Sequence, residues 1–133
     1  MEFYPSCIWH EVGERIVITI IAVAAGGFLG AIVRYLVSMR VTGMLGILSV
    51  NILGSFLFGL SLRFVDEAGT FSSFWLIGFL GAFTTFSTFA VQFVETWNDG
   101  HSVKAISYAL VTLIGGLLFV CMGWIFSGFI LIK

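Results

Sequence analysis

The sequence predicts an all-α membrane protein with four transmembrane helices per chain, and three observations carry that prediction. Of its 133 residues, 59% are hydrophobic and only 10% charged, an apolar share beyond that of ordinary soluble domains. The apolar residues form runs at about 16–37, 44–62, 74–93 and 105–132, each close to the roughly 20 residues that cross a hydrocarbon core. The joins are short and polar: 38–43, 63–73 with Asp66, Glu67 and Gly69, and 95–104 with Asn98, Asp99 and Gly100. Nothing outside the bilayer is long enough to fold alone, so residues 16–133 read as a single four-helix transmembrane domain behind a polar N-terminal leader, residues 1–15. That leader carries Glu2, Glu11 and Glu14 with no basic residue before Arg15, unlike the positive start of a signal peptide.

The first helix pairs Gly26 with Gly30, the second Ser55 with Gly59, and the fourth Thr112 with Gly116. This small-xxx-small spacing lets helix backbones approach closely in lipid. Arg34, near the end of the first helix, has two readings: its head snorkels to the interface, or it draws anions into a vestibule. In the second helix Asn51 lies about 10 Å along the span at 1.5 Å per residue. A carboxamide at that depth either bonds a neighbouring helix or donates its NH2 group to an ion in transit.

The third helix holds the most unusual string, Gly78-Phe-Leu-Gly-Ala-Phe-Thr-Thr-Phe-Ser-Thr-Phe89. Gly78, Gly81, Thr84 and Thr85 could interrupt the helix near mid-membrane and turn carbonyls inward, which is tolerated only where protein lines a cavity. The other reading is a continuous helix whose hydroxyls bond back to the preceding turn. Phe86 and Phe89 share a face at i, i+3, with Ser87 and Thr88 directed elsewhere. Ring edges carry positive potential and attract an anion. In the fourth helix Tyr108, Thr112 and Gly116 follow at four-residue intervals, as a polar stripe or as ordinary packing.

Several function classes fall away. A net charge of −1, with Lys and Arg set singly at segment ends, offers no basic patch for nucleic acid. His10 and His101 have no neighbouring ligand set, and no catalytic triad is legible. Cys7 and Cys121 do not make a disulfide framework. No charged residue occupies the centre of a span, and Glu95 lies toward a helix end, which argues against a proton-coupled carrier. Arg15, Arg63 and Lys133 fall on one side of the membrane, and Arg34, Arg40 and Lys104 on the other. That balance gives the positive-inside rule little to act on, so insertion in both orientations stands beside a weakly biased single one.

Three strings, residues 26–35 (Gly-Gly-Phe-Leu-Gly-Ala-Ile-Val-Arg-Tyr), 49–54 (Ser-Val-Asn-Ile-Leu-Gly) and 81–89 (Gly-Ala-Phe-Thr-Thr-Phe-Ser-Thr-Phe), together resemble the Fluc (CrcB) fluoride channels, and the resemblance covers all four helices. It implies an antiparallel, dual-topology homodimer in the cell (plasma) membrane that exports fluoride passively. It also implies a third helix broken near mid-membrane and two ion paths at the dimer interface. Gly81 and Thr84 match residues whose backbone carbonyls hold a central structural sodium ion. Phe86 and Phe89 match the phenylalanines lining the paths, and Asn51 the pore asparagine. Tyr108 and Thr112 resemble the start of the polar track, and Ser87 and Thr88 the hydroxyls near it. Gln92, where many relatives have Glu, departs from the pattern, as do Ile47, where threonine is frequent, and Gly116, which has no hydroxyl. Two other classes compete: a small dual-topology multidrug transporter, which needs a glutamate that the first helix lacks, and a subunit that merely packs.

Overall fold

The computed structural model describes the backbone of residues 5–65 and 69–131 and the side chains of residues 11–65 and 69–130. Asp66, Glu67 and Lys133, and the side chains of Cys7 and His10, lie outside the described residues. All regular structure among the described residues is helical: α1 (Pro5–Arg40), α2 (Met44–Ser61), α3 (Thr70–Ser72), a π-helical stretch (Ser73–Leu80), α4 (Gly81–Phe83), α5 (Ser87–Asn98) and α6 (Ser102–Leu131). Four stretches, Glu11–Arg40, Met44–Ser61, Thr70–Asn98 and Ser102–Ile130, are long and apolar enough to cross a membrane. The chain is a multi-pass membrane protein.

The helix boundaries differ from the hydropathy reading at the first span. α1 starts at Pro5, inside the polar leader, rather than near residue 16. Proline is preorganised for a first helical position because its missing N–H would be unsatisfied there anyway, and Glu11, Glu14 and Arg15 are good helix formers. Polarity marks where a membrane ends; it does not stop a helix.

The tight turns rest on two glycines with positive φ. Gly43 (φ 71°) precedes α2, and the Gly46 N–H then bonds the Gly43 carbonyl at 3.2 Å. Gly100 (φ 82°) ends α5. There the His101 N–H reaches the Thr96 carbonyl and the Gly100 N–H the Trp97 carbonyl, each at 3.1 Å. This is the Schellman pattern, which satisfies the last carbonyls of a helix at an αL residue.

In lipid, apolar burial adds no driving force between helices, so close backbone approach has to hold them. Three of the predicted small residues, Gly26, Gly30 and Gly59, sit at such approaches. A side chain at Gly26 would collide with the Phe74 carbonyl, and one at Gly30 with the Phe79 carbonyl, so α1 lies directly on the π-helical stretch. A side chain at Gly59 would strike the Val120 carbonyl, and one at Gly123 the Phe56 carbonyl, which seats α2 on α6. Within the third span Trp75, Phe79 and Phe83 stack, with centroids 4.8 Å and then 5.9 Å apart. The Trp75 indole N–H donates to Ser61 Oγ at 2.7 Å, tying the end of α2 to the start of that span. Nearby, the Arg63 guanidinium lies 4.3 Å from the ring centroid of Trp124, a cation–π contact worth about 0.5–2 kcal/mol.

Two small cores result. Val50, Leu80 and Phe83 form one, and Ile47, Phe89 and Tyr108 the other. Between them lie residues 84–86.

Candidate functional site

Helical hydrogen bonding stops at Phe83 and resumes at Ser87, and Thr84 is extended (ψ 159°). Such a stretch inside a span must find other partners for its backbone groups. The Thr84 N–H and its Oγ1–H both donate to the Leu80 carbonyl at 3.0 Å. The Thr85 N–H would bond the Gly81 carbonyl in an unbroken helix; instead it donates to Asn51 Oδ1 at 2.8 Å. The Thr88 N–H would bond the Thr84 carbonyl; it donates instead to Thr85 Oγ1 at 3.3 Å. Thr85 therefore caps the first turn of α5 from the i−3 position. The carbonyls of Gly81 and Thr84 are thus released from their helical partners, and Thr84 O accepts only a long bond, 3.4 Å, from Arg34 Nη1.

Asn51 completes the arrangement. Its Nδ2 donates to the Thr85 carbonyl at 3.0 Å while its Oδ1 accepts the Thr85 N–H. The Thr85 backbone is fixed as donor and acceptor, so the carboxamide has one orientation. Asn51 thus joins two helices, and one Nδ2 hydrogen remains for another acceptor. Gly54, one turn further along α2, lets Thr84 come close, because a Cβ there would collide with Thr84 Cγ2.

A cavity of about 230 Å³ opens beside this point, lined by Asn51, Ser55, Thr84, Thr85, Phe86, Phe89, Thr112 and Leu113. A second, of about 290 Å³, is lined by Gly54, Ser55, Phe58, Leu76, Leu80, Gly81, Thr84 and Val120. The two share Ser55 and Thr84. The rings of Phe86 and Phe89 meet at 5.7 Å between centroids, tilted by 43°. Phe89 is buried against Tyr108 (5.2 Å), whereas Phe86 is 76% exposed on the single chain.

The remaining sequence candidates divide. Ser87 Oγ and Thr88 Oγ1 lie 3.3 and 3.1 Å from Thr85 Oγ1, a hydroxyl cluster at the start of α5. Thr112 lines the cavity, but its hydroxyl donates to the Tyr108 carbonyl at 2.7 Å. Tyr108 faces a different cavity, with Thr42, Lys104 and Ser107, and its hydroxyl donates to Gln92 Oε1 at 2.9 Å. Arg34 is half-buried beside Thr84. Ile47 packs in the core with Phe89 and Tyr108, so an aliphatic side chain suits that position. Sequence reasoning missed Thr85 as a site residue and read Ser55 only as packing. The adjacent pair Thr84-Thr85 was the available signal, since one hydroxyl can bond back along the helix while the other caps the next.

Among the described residues, no three His, Cys, Asp or Glu side chains converge on a point. A cation at this site would be held by backbone carbonyls, and those of Gly81 and Thr84 are among the ones the interruption releases.

A protein-family description, CrcB-like protein, Camphor Resistance (CrcB), matches residues 21–124. A protein of Saccharophagus degradans named fluoride-specific ion channel FluC is 42% identical over 103 residues, covering 71% of this chain and 77% of its own. A Moorella thermoacetica protein named fluoride-specific ion channel FluC 2 is 38% identical over 121 residues, covering 80% and 93%. A Legionella pneumophila protein, again named fluoride-specific ion channel FluC, is 42% identical over 123 residues, covering 84% and 91%.

Proposed function

The chain belongs to the CrcB-like family, and on that premise we propose that it is a fluoride-selective channel that passively exports fluoride from the cytoplasm across the cell membrane. Its relatives are named as channels, not enzymes. The observation that carries the reading to this chain is the cavity at residues 84–86, where an amide N–H, a hydroxyl and two phenyl rings surround a space flanked by the fixed Asn51–Thr85 pair.

Fluoride is small and strongly hydrated, so a path must replace part of its water shell with donors at close quarters. The free hydrogen of Asn51 Nδ2 is one such donor, and the positive edges of Phe86 and Phe89 add weaker attraction while excluding water. Arg34 adds a fixed positive charge near the interruption, which raises the local anion concentration. The physiological logic is weak-acid trapping. Hydrogen fluoride crosses lipid as a neutral molecule and ionises inside, and a fluoride-selective leak lets the anion return down its electrochemical gradient.

The working unit in this proposal is an antiparallel homodimer with two paths at its interface, each third span acting as a broken helix at mid-membrane. Three features support it. Phe86 is 76% exposed although it lines the cavity, so a partner chain has a face to cover. The six Lys and Arg residues divide evenly between the two membrane sides, as insertion in both senses requires. The interruption leaves polar backbone that a second copy would enclose.

A structural sodium ion belongs to the same proposal. The released carbonyls of Gly81 and Thr84 are oxygen ligands of the kind a hard cation prefers. Sodium bound there would supply fixed positive charge and a cross-link between chains.

The test is fluoride efflux from liposomes containing the purified protein, beside chloride efflux with the counter-ion clamped by an ionophore. Rapid fluoride release with chloride retained is the expected result. Folded protein that releases no fluoride would favour the packing subunit instead.

A further inference from the structure

We infer that Ser55 is an anion-contacting residue of the path, its hydroxyl donating a hydrogen bond to fluoride where the two cavities meet; this rests on the fluoride-channel reading above. An anion needs donors, and hydroxyl groups line the cavity at Ser55, Thr84, Thr85 and Thr112. Three of those protons are already committed. Thr84 Oγ1 donates to the Leu80 carbonyl, Thr112 Oγ1 to the Tyr108 carbonyl, and Thr85 Oγ1 to Thr88 Oγ1. With their protons held by these acceptors, none of the three has a hydrogen left to donate to an anion.

Ser55 differs. Serine in a membrane helix usually bonds back to the preceding turn, as Ser49 and Ser61 do in the same helix, each at 2.7 Å to the i−4 carbonyl. Ser55 makes no such bond and lines both cavities. Its hydroxyl lies against Gly116 of α6, whose missing Cβ leaves the space: a Cβ built there falls 3.3 Å from Ser55 Oγ. The hydroxyl that Gly116 cannot offer is thus supplied to the same place from the opposite helix. Asn51 is one helical turn earlier on α2, so its free N–H and the Ser55 O–H lie on one face. Together they give a dehydrating anion two successive donors.

The test compares three proteins in the liposome efflux assay over a series of fluoride concentrations, with each variant checked for the wild-type elution volume. Ser55→Ala removes the proton with almost no change in volume, and fluoride flux is expected to fall about tenfold, the scale of one hydrogen bond to a charged group. Ser55→Ala combined with Gly116→Ser returns a hydroxyl from α6, and removal of Ser55 Oγ clears the space its Cβ needs. Flux should recover to within about threefold of wild type. Wild-type flux in Ser55→Ala overturns the inference, as does a loss that the double variant fails to recover. A loss that tracks a changed dependence on sodium assigns the hydroxyl to the cation and overturns it too. Absence of fluoride release from the wild-type chain is a separate outcome and sinks the channel reading itself, together with the role of Ser55.

Discussion

The side chain of Asn51 and the backbone of Thr85 are joined by two hydrogen bonds, of 2.8 and 3.0 Å, although 34 residues separate them. A single carboxamide stands in for the helical partners of one interrupted residue. Asn51→Leu keeps the approximate volume and strips both bonds, leaving two polar groups unpaired at about 1–3 kcal/mol each. Fluoride flux should be lost and the thermal unfolding temperature lowered. Asn51→Asp retains the acceptor for the Thr85 N–H but loses the donor and adds negative charge. It should unfold at a temperature between those of Asn51→Leu and wild type while conducting no better than Asn51→Leu, as tryptophan fluorescence melts and liposome efflux would report.

Phe86 is exposed on the chain and Phe89 buried, although their rings touch. Phe86→Ile should therefore leave the fold of the chain intact while reducing fluoride flux at least tenfold. Unchanged flux at the wild-type elution volume would remove ring edges from the mechanism.

Gly30 lies against the Phe79 carbonyl, whereas a Cβ at Gly13 meets nothing within 4 Å. Gly30→Ala should force α1 off the third span and sharply reduce the yield of folded protein. Gly13→Ala, within α1, should be neutral or stabilise the helix by up to about 1 kcal/mol, the usual difference between the two residues in a helix interior. Detergent-solubilised yield and melting temperature distinguish the two.

Lys and Arg are balanced across the membrane. Adding two lysines to the Ser38–Gly43 join should bias insertion to one orientation and abolish function of that copy alone. Co-expression with a copy biased oppositely should restore it. Full protection of fluoride-challenged cells by the single biased copy would sink dual topology.

The four spans and their packing glycines were legible because hydropathy and small-residue spacing are local properties of the chain. The site was legible only in part. Asn51, Phe86, Phe89, Thr84 and Thr112 gather around one cavity, yet the partner of Asn51 could not be read, since it lies in another helix. The π-helical geometry of Ser73–Leu80 was hidden too. It accompanies the close crossing of Gly26, Gly30 and Gly78, and no residue type in that stretch announces it. Ser55 fits the packing pattern as a small residue four before Gly59; its free proton shows only once the other three hydroxyls of the cavity have been assigned acceptors.

The length of α1 has a consequence at the lipid surface. Its 36 residues run about 54 Å at 1.5 Å per residue, against a hydrocarbon slab of about 30 Å. Even with a tilt of about 20°, a dozen or more residues must stand in headgroups and water as a projecting stub. If copies insert in both senses, stubs stud both leaflets. A membrane-impermeant protease or antibody applied to sealed vesicles would then reach half of them from outside, and the remainder only after the vesicles are opened.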